Sequence, residues 1–436
     1  MLEAGDHLGG RVSQLTGLAP WPLQLGPEFI HGDENNVLKA FVDAKGWKYD
    51  VLEWPDRYFF GKEKQLVDAE TADKEDPDVM EVHRLFEELP GVPTDRDVTA
   101  LEWLRDIVGA SERVIALAES IYANDFGCSL SIMGMHEAIV EQRQWNYGEK
   151  YLVLDRSLGA VASELGKGLD VRLNHKVTEV RYASEMGGVG GAEMVVVRGG
   201  PSGVETVEGR RCILAAPITS LKNGITFEPP LPAMKMRAVD AIKMSNAVKI
   251  FLAFDAPFWP ADLFDVVCAD CFLPELWILK WPDQVGAIRP PEGVVQAGLD
   301  PSVPVRTKEV VTFFACGVLA DRLSAMDKRE VVERALDQLD DMFGTAADPK
   351  PSRGRLTGSY VADWSAEQTV EGAYTYPSFG AMGSRGVLAA PVGDKLFFAG
   401  EATHAGVNPC MQGAMETGLR AAAQVLACER GPRSRM

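Results

Sequence analysis

At 436 residues, with 46% hydrophobic and 25% charged side chains, the chain is too long for one ordinary core and reads as two or three globular units rather than as disorder. A formal net charge of −19 disfavours nucleic acid, whose phosphates demand a basic surface, and suits a small cationic partner. No apolar run approaches the roughly 18 residues that a membrane helix needs, and residues 1–10 lack the basic-then-apolar order of a secretory leader.

The opening segment is the end of a strand (Leu2-Glu3-Ala4), a glycine turn (Gly9-Gly10) and Arg11. An acid at a strand end can accept hydrogen bonds from ribose hydroxyls, a glycine pair lets backbone approach a diphosphate, and arginine can grip that diphosphate as a fork. The run Leu25-Gly26-Pro27-Glu28-Phe29-Ile30-His31-Gly32 follows. A helix is expected over 33–45, with Asp33 as N-cap, Val37, Leu38, Phe41 and Val42 as its apolar stripe, and Gly46 as its stop. The acidic stretch 67–82 is expected to be a loop leading into a helix. Residues 100–122 read as helix broken at Gly109.

From Leu169 the hydrophobic period shortens, and 169–173, 177–182, 194–198 and 211–216 are expected as short strands. The glycine run at 187–192 is expected to be a hairpin turn. It is not GxGxxG, and it lies between alternating strands. A helix at 233–243 precedes the strand Ala247–Phe254, which carries Lys249 in an apolar setting. An amphipathic helix capped by Asp327 is expected over 327–343. A buried strand at 396–399 runs through Gly400-Glu401 into a last helix at about 409–428, with Asn408-Pro409 as its start signal. Seven dispersed cysteines read as reduced thiols of an intracellular compartment. Cys268 and Cys271 lack a second ligand pair, and His136-Glu137 lacks a second histidine, so no metal is expected.

The run Leu396-Phe397-Phe398-Ala399-Gly400-Glu401-Ala402-Thr403-His404, with Gly413-Ala414 and Gly418 after it, resembles the closing signature of polyamine oxidases. The opening EAxDxxGGR run is similar to the same family, the flavin amine oxidases. That family also includes monoamine oxidases and histone lysine demethylases. The resemblance implies an α/β fold with a discontinuous Rossmann-like FAD-binding domain (1–60, 165–228 and 385–436) and an α+β substrate-binding domain (61–164 and 229–384). It implies non-covalent FAD, because Ala373 stands where monoamine oxidases carry the flavin-bonded cysteine.

Carried over position by position, the resemblance assigns the ribose to Glu3 and the diphosphate to Gly9, Gly10 and Arg11. Gly26, Pro27 and Glu28 pass beside the flavin, and the Val177 backbone reads the adenine. Trp364 belongs to the segment before the last strand, Glu401 to the pyrophosphate–ribitol region, and Met411 and Ala414 to the start of the last helix. The positive end of that helix can stabilise negative charge on the reduced ring. Lys249 would be the catalytic lysine that orders a water at the flavin. His31, Tyr374 and Cys410 would contact the substrate, with Tyr374 as one wall of an amine cage.

The implied activity is oxidation of amines, polyamines first, to an imine with release of hydrogen peroxide, using O2. The alternatives are a monoamine- or demethylase-type oxidase, or a catalytically inactive member unable to hold FAD. The chain departs from the family pattern at Pro27, where alanine is usual, and at Leu154-Asp155-Arg156-Ser157, where relatives have Gly-Gly. The GxGxxG turn that should lie about 20 residues before the ribose acid is not among the 436 residues. The closing Ser434-Arg435-Met436 matches a peroxisomal address, with the cytoplasm as the alternative.

Overall fold

A computed structural model describes residues 1–52, 54–93, 95–182, 195–198, 205–279, 309–407 and 409–429, with backbone alone for 195–198. The expected turn at 187–192, Asn408 and the C-terminal tripeptide lie outside the described residues.

The largest sheet has seven strands in the order Leu356–Asp363, Ala247–Phe254, Glu309–Cys316, Glu275–Trp277, Asp265–Ala269, Arg57–Phe60 and Gln65–Asp68. All its pairings are antiparallel except Asp265–Ala269 with Arg57–Phe60. Every residue of Ala247–Phe254 is buried, as its continuous β-branched and aromatic run requires of a central strand. One face packs Ile250, Leu252, Phe313 and Leu276 against the helix Lys328–Phe343 through Val331, Ala335 and Leu339. Asp327 caps that helix as expected, accepting from Arg329 N.

Segments far apart in the chain close the other half of the molecule. Leu2 makes a parallel bridge to Arg172. Cys212–Leu214 pairs in parallel with Leu396–Phe398. Ile30–His31 and Tyr49–Leu52 both pair with Tyr151–Leu154. The start, middle and end of the chain are thus joined, which is the discontinuous mixed α/β arrangement the resemblance implied.

Three local expectations need correction. The first helix spans Val37–Ala44, not 33–45, and Asn36 is its N-cap, accepting from Leu38 N and Lys39 N. The stretch 67–82 is not a loop: Ala69–Glu75 and Pro77–Glu87 are helices that bury Ala69, Ala72, Val79 and Val82. Asp76 starts the second of them, capping Asp78 N and Val79 N with proline in its first turn. Residues 169–173 form only the Arg172 bridge, since left-handed Gly168 (φ 78°) and Asn174 (φ 55°) bracket the segment. Gly109 does break the 100–122 stretch, at φ 76°.

Candidate active site

Two glycines with left-handed or positive φ, Gly9 (104°) and Gly10 (56°), turn the chain so that Arg11 points inward. Its Nη1 donates to Ala373 O at 2.9 Å and to Glu401 Oε1 at 2.8 Å. An arginine has five N–H donors, and the three on Nε and Nη2 make no hydrogen bond among the described residues. The Arg11 turn rests directly on Gly26, where a Cβ would lie 1.9 Å from Arg11 O. Trp364 locks the other side of that strand, its Nε1 donating to Leu25 O at 2.9 Å.

The last helix, Met411–Glu429, begins beside this cluster. Gln412 is fully buried and donates to His31 O at 2.8 Å, while its Oε1 is buried without a partner. Within this helix, Gly413 packs against protein, where a Cβ would meet Val407 O at 2.3 Å, and Gly418 faces open space, with nothing within 4 Å of its Cβ position. Ala421 and Val425 pack on Phe397 and Ala399. Free guanidinium donors, a glycine turn and the unpaired N–H groups of a helix start are the donor set that a dinucleotide diphosphate and an electron-rich ring require. The residues present therefore fit FAD. Glu3 accepts from Gly5 N at 2.7 Å, and Val177 opens the strand Val177–Arg181.

Lys249 is buried and donates to Gln24 O (3.0 Å), Gly26 O (2.9 Å) and Glu28 Oε2 (2.8 Å). Three acceptors use all three protons of an ammonium. A water-ordering role for Lys249 therefore requires one of these bonds to be released. Trp277 Nε1 donates to the same Glu28 oxygen at 3.2 Å, and Lys249 Nζ stands 5.2 Å from the Trp277 ring centroid. Glu28 is thus drawn to the lysine as a counter-ion. Across the sheet Lys249 is opposite Phe314, and Phe314 is opposite Glu275. Directly opposed residues share a face, so the sheet itself aligns Lys249, Phe314 and Glu275 in one row.

Glu275 belongs to a cluster of titratable side chains that sequence reasoning missed. Trp54 Nε1 and Asn124 Nδ2 donate to its two oxygens at 3.1 and 3.0 Å. Burial, reinforced by the nearby Asp125 charge, pushes its carboxyl up to about 8. Asp125 has accessible surface, yet desolvation pushes its carboxyl up to about 6.

Tyr151, Tyr374 and Cys410 are each raised by burial and, after it, by the Asp125 charge among others. Tyr374, Cys410, Tyr151 and Glu275 are thus all within electrostatic reach of Asp125. His31 stands 5.0 Å from Tyr151, ring centre to ring centre, and burial lowers it to about 4. It is a neutral ring at pH 7. Tyr374 fits only because residue 127 is glycine, where a Cβ would lie 2.0 Å from Tyr374 Cε2. A charge inside an apolar strand, the signal that singled out Lys249, also marks Glu275. Asp125 carries no such signal, since it follows a helical stretch as any polar residue would.

All seven cysteines are free thiols. Cys268 and Cys271 bond backbone carbonyls of their own turn, and no cluster of metal-binding side chains occurs among the described residues. Among the described residues no helix is long and apolar enough to cross a membrane.

The family model for flavin-containing amine oxidoreductases matches residues 1–426. The chain is 28% identical over 341 residues to lysine-specific histone demethylase 1 homolog 3 of Arabidopsis thaliana, a match covering 74% of this chain and 19% of that protein. It is 25% identical over 443 residues to polyamine oxidase 3 of Oryza sativa subsp. japonica, covering 97% of this chain and 83% of that one. The chain thus spans a minor part of the demethylase and most of the polyamine oxidase. A putrescine oxidase solved with putrescine bound superposes with a TM-score of 0.77 at 18% identity, over 98% of this chain and 93% of that one. At that identity the likeness is one of fold.

Proposed function

The chain belongs to the flavin-containing amine oxidoreductases, and from that premise we propose that it oxidises amines bearing two or more positive charges, polyamines of the putrescine–spermidine–spermine type, using non-covalent FAD. The observation that carries this reading is the pair of acids Asp125 and Glu275, within electrostatic reach of each other and of Tyr151, with Glu275 on the face of the sheet that bears Lys249. Two carboxylates within electrostatic reach of each other are stabilised by cations between them. A monoamine would leave one of them without a counter-charge.

Bound FAD would accept a hydride from the carbon next to nitrogen, and O2 would recover the electrons as hydrogen peroxide. The protein's own residues bind and orient. Arg11 would hold the diphosphate with its free N–H groups. Tyr374 would offer an aromatic face to the reacting amine. Asp125 and Glu275 would hold the distal ammonium, and neutral His31 adds no charge to repel it. Ala373 ends in a methyl group, with no atom to bond the flavin, which supports non-covalent binding. Ser434-Arg435-Met436 supports a peroxisomal address, testable by fusing the tripeptide to a cytosolic reporter.

The decisive experiment loads the purified chain with FAD and follows the visible flavin band without oxygen. Spermidine and putrescine should bleach it at least about tenfold faster than benzylamine, the factor worth one charged contact. Bleaching by a methyl-lysine peptide but by no polyamine would favour a demethylase-type oxidase. No flavin band after reconstitution would leave a family member without catalysis.

A further inference from the structure

Behind the Arg11–Glu401 pair lies a buried chain of polar groups. Glu401 is 4% exposed. One of its carboxylate oxygens takes Arg11 at 2.8 Å, and the other takes Thr375 Oγ1 at 2.5 Å. Arg385 Nη1 reaches the same hydroxyl at 2.9 Å. Arginine can only donate, so the Thr375 oxygen must accept from Arg385 and its single proton must go to Glu401. The direction of the relay is thereby set by chemistry.

Arg385 is anchored in turn. Its Nη2 donates to Tyr376 O at 2.9 Å. Its Nε stands 3.3 Å from Glu137 Oε2, and Glu137 Oε1 accepts from Gly383 N at 3.1 Å. Thr375, Arg385 and Glu137 are 0%, 3% and 7% exposed. Charges alternate from Glu137 through Arg385 to Glu401 and Arg11, and the Nε and Nη2 donors of Arg11 make no hydrogen bond among the described residues.

Resting on the flavin reading above, we propose that Thr375 and Arg385 are positioning residues that hold the Glu401 carboxylate in one orientation, and through it aim the free N–H groups of Arg11 at the cofactor diphosphate. Without the Thr375 hydroxyl, Glu401 Oε2 loses the hydrogen bond that fixes its direction. Arg11 is then held by Ala373 O alone in a defined direction. Neither residue needs to touch the cofactor.

The test is FAD affinity of the apoprotein, read by quenching of flavin fluorescence and independent of turnover. Thr375→Val keeps the side-chain volume and removes the hydroxyl, while Thr375→Ser keeps the hydroxyl and removes the methyl. The expected result is a Kd raised about tenfold in the valine variant, the loss typical of one charge-assisted hydrogen bond, with the serine variant within about twofold of the parent. Equal Kd for parent and valine variant overturns the proposal. So does equal weakening of both variants with a matching fall in melting temperature, which reports packing rather than the hydroxyl. If the parent chain itself binds no FAD, the flavin reading falls and takes this proposal with it.

Discussion

Removing Lys249 alone leaves the Glu28 carboxylate buried with Trp277 Nε1 as its one remaining side-chain donor among the described residues. Lys249→Met should therefore cost about 3–5 kcal/mol in urea unfolding, the usual penalty for half a buried ion pair. The double change Lys249→Met with Glu28→Leu should recover most of it, because replacing both charges removes the unpaired one. A double variant no more stable than the single would show that the pair is not the source of the loss. Gly127 tests the amine wall. Gly127→Ala places a methyl 2.0 Å from the Tyr374 ring at a backbone φ of 78°. Overpacking of that kind costs about 1–3 kcal/mol, and amine turnover should fall at least about tenfold by displacement of the ring, with bound flavin unchanged. Turnover equal to the parent's would remove Tyr374 from the site.

Among elements, the short helix Val37–Ala44 shows how a cap can serve a site. The Asn36 side chain caps Leu38 N and Lys39 N, and its Nδ2 donates to His31 O at 3.0 Å and Gly32 O at 3.1 Å. Asn36→Ala should cost about 1–2 kcal/mol from the lost cap. It should also loosen the turn that presents His31, raising KM for the amine at constant kcat. A change confined to stability would mean that His31 is held without the cap. Asp33, the cap that composition suggested, lies one turn too early: both Asp33 and Asn36 are ordinary N-cap residues, and only the observed backbone distinguishes them. The helices at 69–87 were concealed for a related reason. Their exposed faces are so acidic that the buried Ala69, Ala72, Val79 and Val82 gave too weak an apolar stripe to outweigh the charge.

For the molecule as a whole, the neighbouring acids Glu275 and Asp125 predict a pH dependence whose sign can be worked out. Glu275 and Asp125 are both raised, to about 8 and about 6, chiefly by burial. A raised carboxyl holds its proton in the folded state while the unfolded chain has released it. Its contribution to stability is therefore full below the unfolded value and falls as pH rises, for Glu275 from about 4.5 to about 8. His31, lowered by burial to about 4, works oppositely: stability falls as pH drops from about 6.5 to about 4. A bound cation favours the charged carboxylates, so the apparent Kd for a diamine should fall as pH rises from about 6 to about 8. Glu275→Gln should flatten the upper part of that profile. A profile unchanged in the glutamine variant would place the distal ammonium elsewhere.

The family and the flavin cofactor class were legible in the chain itself, through the runs at Gly9-Gly10-Arg11 and at Gly400-Glu401. The strand Ala247–Phe254 was equally legible, since a fully buried strand must be apolar throughout and its one lysine stands out. What only the tertiary structure decided is the set of partners. That Gln24 O, Gly26 O and Glu28 together saturate Lys249, that Asp125 lies within electrostatic reach of Glu275, and that Thr375 links Arg385 to Glu401 all depend on contacts spanning from 10 to more than 220 residues of chain. A single carboxylate or hydroxyl looks the same in sequence whether it faces water or a buried cation. Its role is set by what folding brings within about 3 Å of it, and the chain alone does not encode that distance locally.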